Sequence, residues 1–286
     1  MTSATASELQ TLIRDILKTS DGGTDVNGGA PVLMQLYRQG KKETIRKLLP
    51  LCPEAALMRD NMGFTILFQA VWHRDVEMVK AILAAAPKAA FGCDKEGQTP
   101  LDILILSQYK PETTMDFATD FTRNEPAPLP DLMKQSPAND PGKNREIVKL
   151  LLADPSAPGL CVSSNGDTPL HTLAYKTKHY GDDWVWKNDG SDTSIAEAIL
   201  ERAPKMVAVR VNNNFTPLHK AVVSHLYALF MLMADKNPEA LLVCDSWGNT
   251  PIHYLRDSKA LDWAQRKMEE CRKKHPATGP SPKPNM

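Results

Sequence analysis

Cysteine is sparse in this chain. Cys52, Cys93, Cys161, Cys244 and Cys271 are spread over 286 residues. Their number is odd and no CxxC pair occurs, which argues against the dense disulfide frameworks of small secreted domains. A reducing compartment, cytoplasm or nucleus, is expected, with the thiols buried as small hydrophobes. An excess of one charge is also missing: 34 Lys and Arg balance 34 Asp and Glu. A dedicated nucleic-acid binder normally carries a basic surplus against phosphates, so no nucleic-acid partner is expected. Long apolar runs are absent. The longest uncharged stretch, Ala221 to Ala234, has 14 residues and is interrupted by Ser224 and His225. A bilayer span needs roughly 18 or more, so no membrane partner is expected. The opening MTSATASELQ has neither the basic start nor the apolar run of a secretory leader. No phosphate loop, nucleophile elbow, HExxH or kinase signature occurs. The expectation is a non-enzyme with no cofactor, no metal and no small-molecule substrate. What is present is ordinary globular composition, 42% hydrophobic and 24% charged.

The chain repeats itself. Gly63-Phe-Thr-Ile-Leu-Phe-Gln-Ala70 returns as Gly97-Gln-Thr-Pro-Leu-Asp-Ile-Leu104 and as Gly166-Asp-Thr-Pro-Leu-His-Thr-Leu173. Asn214-Phe-Thr-Pro-Leu-His-Lys-Ala221 and Gly248-Asn-Thr-Pro-Ile-His-Tyr-Leu255 follow. Positions 63 and 97, and again 214 and 248, are 34 residues apart; the two wider intervals are one period plus an insertion. A second apolar block trails each motif, as in Met78–Leu83, Ile147–Leu152, Ile195–Leu200 and Leu229–Met233, with an upstream copy at Ile45–Leu49. Pro53, Pro87, Pro155, Pro204 and Pro238 stand just beyond these blocks. Thr suits an N-cap and Pro the first helical position, where its missing N–H costs nothing. The pattern therefore predicts helix pairs, each ended by a proline and joined by a tight Asp-x-x-Gly turn. One pair cannot bury its own apolar face, so neighbours must stack.

The Gly-x-Thr-Pro-Leu-His motif and its period resemble the ankyrin repeat family over residues 30–257. Phe68 and Asp102 depart from the family's His, Ile66 from its Pro and Asn214 from its Gly. The resemblance implies an all-α fold: an ankyrin-repeat solenoid of about six stacked helix pairs with short β-turn connections. The expected domain plan gives 1–29 to an N-terminal capping helix and linker and 30–257 to the array. Insertions fall at 107–142 and 176–190, a C-terminal capping helix at 258–274, and a disordered tail at 275–286. His171, His219 and His253 recur at one repeat position. A zinc or Cys–His reading of them fails on spacing, because the period sets one His per repeat where a site needs convergent ligands. Arg272-Lys273-Lys274 suits a helix C-terminus better than an import signal.

The same resemblance implies non-catalytic protein binding as a monomer, with the partner docking on first helices and turn tips. An alternative is a regulatory subunit or accessory module of an enzyme acting in trans. Mapping the variable positions gives Phe64, Gln69, Trp72, His73, Tyr175, Lys176, Phe215, Lys220, Trp247 and Tyr254 as partner-binding residues. Trp184 and Trp186, in the polar insertion KTKHYGDDWVWKNDG, join them because tryptophans are frequent interface anchors.

Overall fold

The computed structural model describes residues 31–107, 140–154, 166–174 and 193–274. The expected N-terminal cap, the tail, most of the first insertion and all of the second lie outside the described residues. Among the described residues there are eleven α-helices and no strand. The chain divides into two compact units, Met1–Ala157 and Pro158–Met286.

The first unit contains α1 (Val32–Arg38), α2 (Lys42–Leu48), α3 (Ile66–Trp72), α4 (Val76–Ala85), α5 (Pro100–Leu106) and α6 (Pro141–Leu151). Consecutive helices pack as pairs, and the first helices α1, α3 and α5 pack side by side. Leu67, Ala70 and Val71 fill the core from α3, and Met78, Val79 and Ile82 meet them from α4. Asp75 caps α4 by accepting the Met78 N–H at 3.2 Å. The helix after the long insertion starts at Pro141, slightly before the insertion's expected end at 142, because Asp140 accepts the Lys143 N–H and Pro141 occupies the first helical position.

The second unit contains α7 (Pro169–Ala174), α8 (Ser194–Arg202), α9 (Pro217–Val223), α10 (Tyr227–Lys236) and α11 (Ser258–Lys274). Leu170 and Leu218 are completely buried. α11 seats Met268 and Cys271 against Leu242, with Ile252 beside them. Leu261 and Trp263 on the same helix are only half-buried.

The prolines do more than stop helices. Pro53, Pro87, Pro204 and Pro238 each open a five-residue 3-10 turn (Pro53–Leu57, Pro87–Phe91, Pro204–Ala208, Pro238–Leu242) whose alanines or aliphatics enter the core. The fixed proline φ suits such a turn as well as it suits a helix start. The last Thr-Pro-Ile-His segment, Pro251–Tyr254, also winds only as a 3-10 turn.

The recurring Thr-Pro-x-His segment builds a hydrogen-bonded unit. Thr168, Thr216 and Thr250 donate through backbone N–H and hydroxyl to Nδ1 of His171, His219 and His253, the hydroxyl distances being 2.8, 2.9 and 2.9 Å. With Nδ1 accepting, the ring proton sits on Nε2. It is donated onward to a neighbouring turn's carbonyl, Phe215 O for His171 (3.2 Å) and Asn249 O for His219 (3.1 Å). Asp102 reproduces the cap at Thr99, 2.7 Å from its hydroxyl.

Candidate functional site

The turn tips carry the side chains of interest, and aspartates build them. Asp245 Oδ1 accepts the N–H groups of Trp247 (2.8 Å) and Asn249 (2.9 Å), closing a turn in which Gly248 takes φ +82°. Asp60 does the same for Met62 and Phe64, and Asp94 for Gln98. The tip at residues 211–215 has neither the Asp nor the Gly. Asn213 and Asn214 both adopt the left-handed conformation there (φ 60° and 58°), which asparagine tolerates better than most residues. A backbone bond, Ser246 N–H to Asn213 O at 2.9 Å, joins this tip to the next.

Three aromatic rings meet on the joined tips. Phe215 lies 5.9 Å from Trp247 and 5.9 Å from Tyr254, and stacks on the buried His219 at 5.3 Å. Asp245 Oδ2 accepts the Tyr254 hydroxyl at 2.5 Å, and the Tyr254 hydroxyl oxygen accepts from Asn249 Nδ2 at 3.2 Å. Burial and the Asp245 hydrogen bond raise the Tyr254 phenol. Burial works against the charge on Asp245, but bonds from Tyr254, Asn249 and Trp247 outweigh it and hold the carboxyl below its ordinary range. Tyr254 and Phe215 are thus fixed from below, while Trp247 is 63% exposed. Val223, at the end of α9, is 51% exposed. Lys220 pairs with Asp167 at 2.6 Å, both largely buried, so its charge is already matched.

Of the residues expected to bind a partner, Phe215, Lys220, Trp247 and Tyr254 belong to this second unit. In the first unit three expectations need correction. Phe64 (4% exposed), Gln69 (1%) and Trp72 (6%) are interior, so they offer a partner almost no surface as the unit stands. Phe64 packs edge-on against Phe68 at 5.2 Å. Repeat position indicated these residues, and position alone does not register local packing. His73 is half-buried with its ring 6.0 Å from Tyr37. Tyr175, Lys176, Trp184 and Trp186 lie outside the described residues.

A polar network around His73 was missed. Tyr37 donates to Asp75 at 3.3 Å, Lys42 pairs with Asp75 at 2.6 Å, and the Lys42 ammonium sits 5.5 Å from the centre of the Tyr37 ring. The first helix pair lacks the Thr-Pro-Leu-His motif, so nothing in the repeat alignment flagged it. Among the described residues no group of three His, Cys, Asp or Glu side chains could hold a metal ion, and no helix is long and apolar enough to cross a membrane. No protein-family model matches the chain, and no curated protein matches it.

Proposed function

We propose that the chain is a non-catalytic protein-binding module whose helix pairs stack as ankyrin repeats. Its partner docks on the aromatic tips of the second unit. The observation that carries this reading is Trp247. A large ring 63% exposed is costly to leave in water, and here it stands on a turn fixed by Asp245 beside Phe215 and Tyr254. Preorganised aromatic anchors give up little entropy on binding, which is why such residues dominate interface energetics. The partner is a protein, and neither nucleic acid, membrane nor cofactor enters the reading. The site of action is cytoplasm or nucleus and the acting form is the monomer.

The test compares wild type with Trp247→Ala as bait for partners from a cell extract, with melting followed in parallel. Melting should hold within a degree or two, and recovery of the specifically retained protein should fall by about thirtyfold, the effect of losing a hot-spot side chain. Equal recovery by both baits would sink the assignment of this face.

A further inference from the structure

The second unit ends its last helix close to its most exposed ring. α11 seats Met268 and Cys271, in its final two turns, on Leu242, with Ile252 beside them. Leu242 and Ile252 flank the aromatic tip, each five residues from Trp247. Five residues of chain span at most about 18 Å, so the end of α11 lies within that reach of Trp247, plus one side-chain contact. Residues 275–286 follow directly as HPATGPSPKPNM. Three of the seven residues from Pro276 to Pro282 are proline and none is charged. At about 3.1 Å per residue, the rise of polyproline II, these seven stand about 16–34 Å of chain beyond Cys271, which brackets the distance to the tip. The chemistry on the tip agrees. Residues 211–215 and 246–249 carry no charged side chain, and Asp245 beneath them is buried with both oxygens engaged. The exposed cation beside them in sequence, Arg210, would repel Lys283, so the uncharged stretch is the part that fits.

We infer that Pro276–Pro282 docks on the Phe215–Trp247–Tyr254 tip of its own chain and covers Trp247 until a partner displaces it. This takes the tip as a docking surface, as proposed above, and adds what occupies it in the free protein. Proline fixes φ near the polyproline II value, so such a segment gives up little freedom on docking. Aromatic surfaces recognise that form by packing on its proline rings, and its carbonyls, bonded to nothing within the helix, accept from a nearby donor. The Tyr254 hydroxyl donates to Asp245, so the indole N–H of Trp247 is the donor to the segment. Phe215, 5.9 Å from both other rings, supplies apolar surface between them. A short tether holds the segment at a millimolar effective concentration, so even weak intrinsic affinity keeps the tip covered. A partner must exceed that competition, which sets a threshold on what the tip accepts.

The probe is a synthetic peptide of residues 275–286, acetylated and amidated, titrated into two full chains. One is wild type; the other carries Pro276→Ser, Pro280→Ser and Pro282→Ser, all beyond α11. The indole N–H of Trp247, identified with Trp247→Phe, is followed by NMR. In the triple variant saturable shifts are expected at Trp247, Phe215 and Tyr254. Wild type should bind the peptide about tenfold more weakly, because its tethered segment competes. Without peptide, the wild-type indole should already lie toward the peptide-saturated position of the variant and stay there on dilution. A peptide with the same three serines should not bind. Equal affinity in the two chains, no saturable shift in the variant, or equal binding of the serine peptide would each overturn the inference. So would an indole position that moves on dilution, the mark of a second copy as occupant. None of these readouts uses a partner from an extract. If they hold while Trp247→Ala retains the partner, the partner reading alone fails; if they are absent while Trp247→Ala loses it, only the covering segment fails.

Discussion

At the scale of single residues, the turn tips show why some repeat positions tolerate change and others do not. Gly63 has φ +85°, and a Cβ there would sit 2.8 Å from the backbone nitrogen of Lys95, itself bonded to Met62 O. Strain in the left-handed region and a clash with immovable backbone add together. Gly63→Ala should therefore destabilise the first unit by about 2 kcal/mol or more, read by urea unfolding. Asn214 occupies the Gly63 position in its own repeat with φ 58°, and Asn213 beside it is also left-handed. An asparagine at φ > 0 already bears a small penalty that glycine lacks. Asn214→Gly should change stability by no more than about 1 kcal/mol, because relief of the left-handed penalty is opposed by glycine's greater freedom in the unfolded chain and by loss of the bond to Ser246 (3.2 Å). A loss larger than 1 kcal/mol would show that this side-chain bond, not the backbone conformation, governs the tip.

At the scale of elements, the Thr-Pro-Leu segment joins capping to core. Leu218 follows Pro217 in the first turn of α9 and is completely buried, while Thr216 and His219 close the cap around it. Leu218→Ala should cost ~2–5 kcal/mol in equilibrium unfolding, the range for removing a buried leucine that leaves a cavity. Thr216→Val should cost about 1 kcal/mol, since it removes the hydroxyl and leaves the backbone bond to His219 in place. The helices were legible because their signals are local and strong: Thr-Pro starts, apolar spacing and Gly after an Asp. The 3-10 turns were not, because Pro-x-Ala-Ala is equally compatible with an irregular loop, and only core packing of Ala55, Ala56, Ala89 and Ala90 decides it. The aromatic tip was partly legible. Phe215, Trp247 and Tyr254 could be read from their repeat positions, but the support from Asp245 to Tyr254 crosses nine residues and has no linear signature. Repeat position misplaced Phe64, Gln69 and Trp72 on a surface, because exposure depends on what packs above a helix, and periodicity carries no information about that.

At the scale of the molecule, the two units differ in how they store histidine. The second unit buries His171 and His219 as neutral rings. Burial, reinforced by Lys220, lowers the His171 pKa to about 4, and burial also lowers that of His219. A base with a folded pKa below its ordinary 6.5 contributes stability that is present above 6.5 and is lost as pH falls toward the folded value, because the unfolded chain takes up the proton first. In the first unit the corresponding positions are Phe68 and Asp102, neither of them a histidine. The unit does contain His73, shifted downward by burial while only half-buried. It also contains Asp94, which works in the opposite direction. Burial pushes that carboxyl up to about 7, so its contribution is present at low pH and is lost as pH rises from about 4 through 7. Between pH 6.5 and 4 the second unit thus has two histidine contributions of the same sign, while the first has one histidine opposed by one aspartate. Acidification from pH 7 to pH 5 should lower the stability of residues 193–274 more than that of residues 31–107. Hydrogen exchange with mass detection, corrected for the intrinsic pH dependence of exchange, reads both segments in one sample. The expected result is a fall in protection centred on α9 and α10 with little change in α3 and α4. His219→Gln keeps a side chain able to accept from Thr216 and donate to Asn249 but cannot be protonated, so it should reduce the acid response of the second unit, leaving the His171 contribution. If the variant and wild type lose protection equally at pH 5, the acid sensitivity of α9 and α10 does not arise from His219.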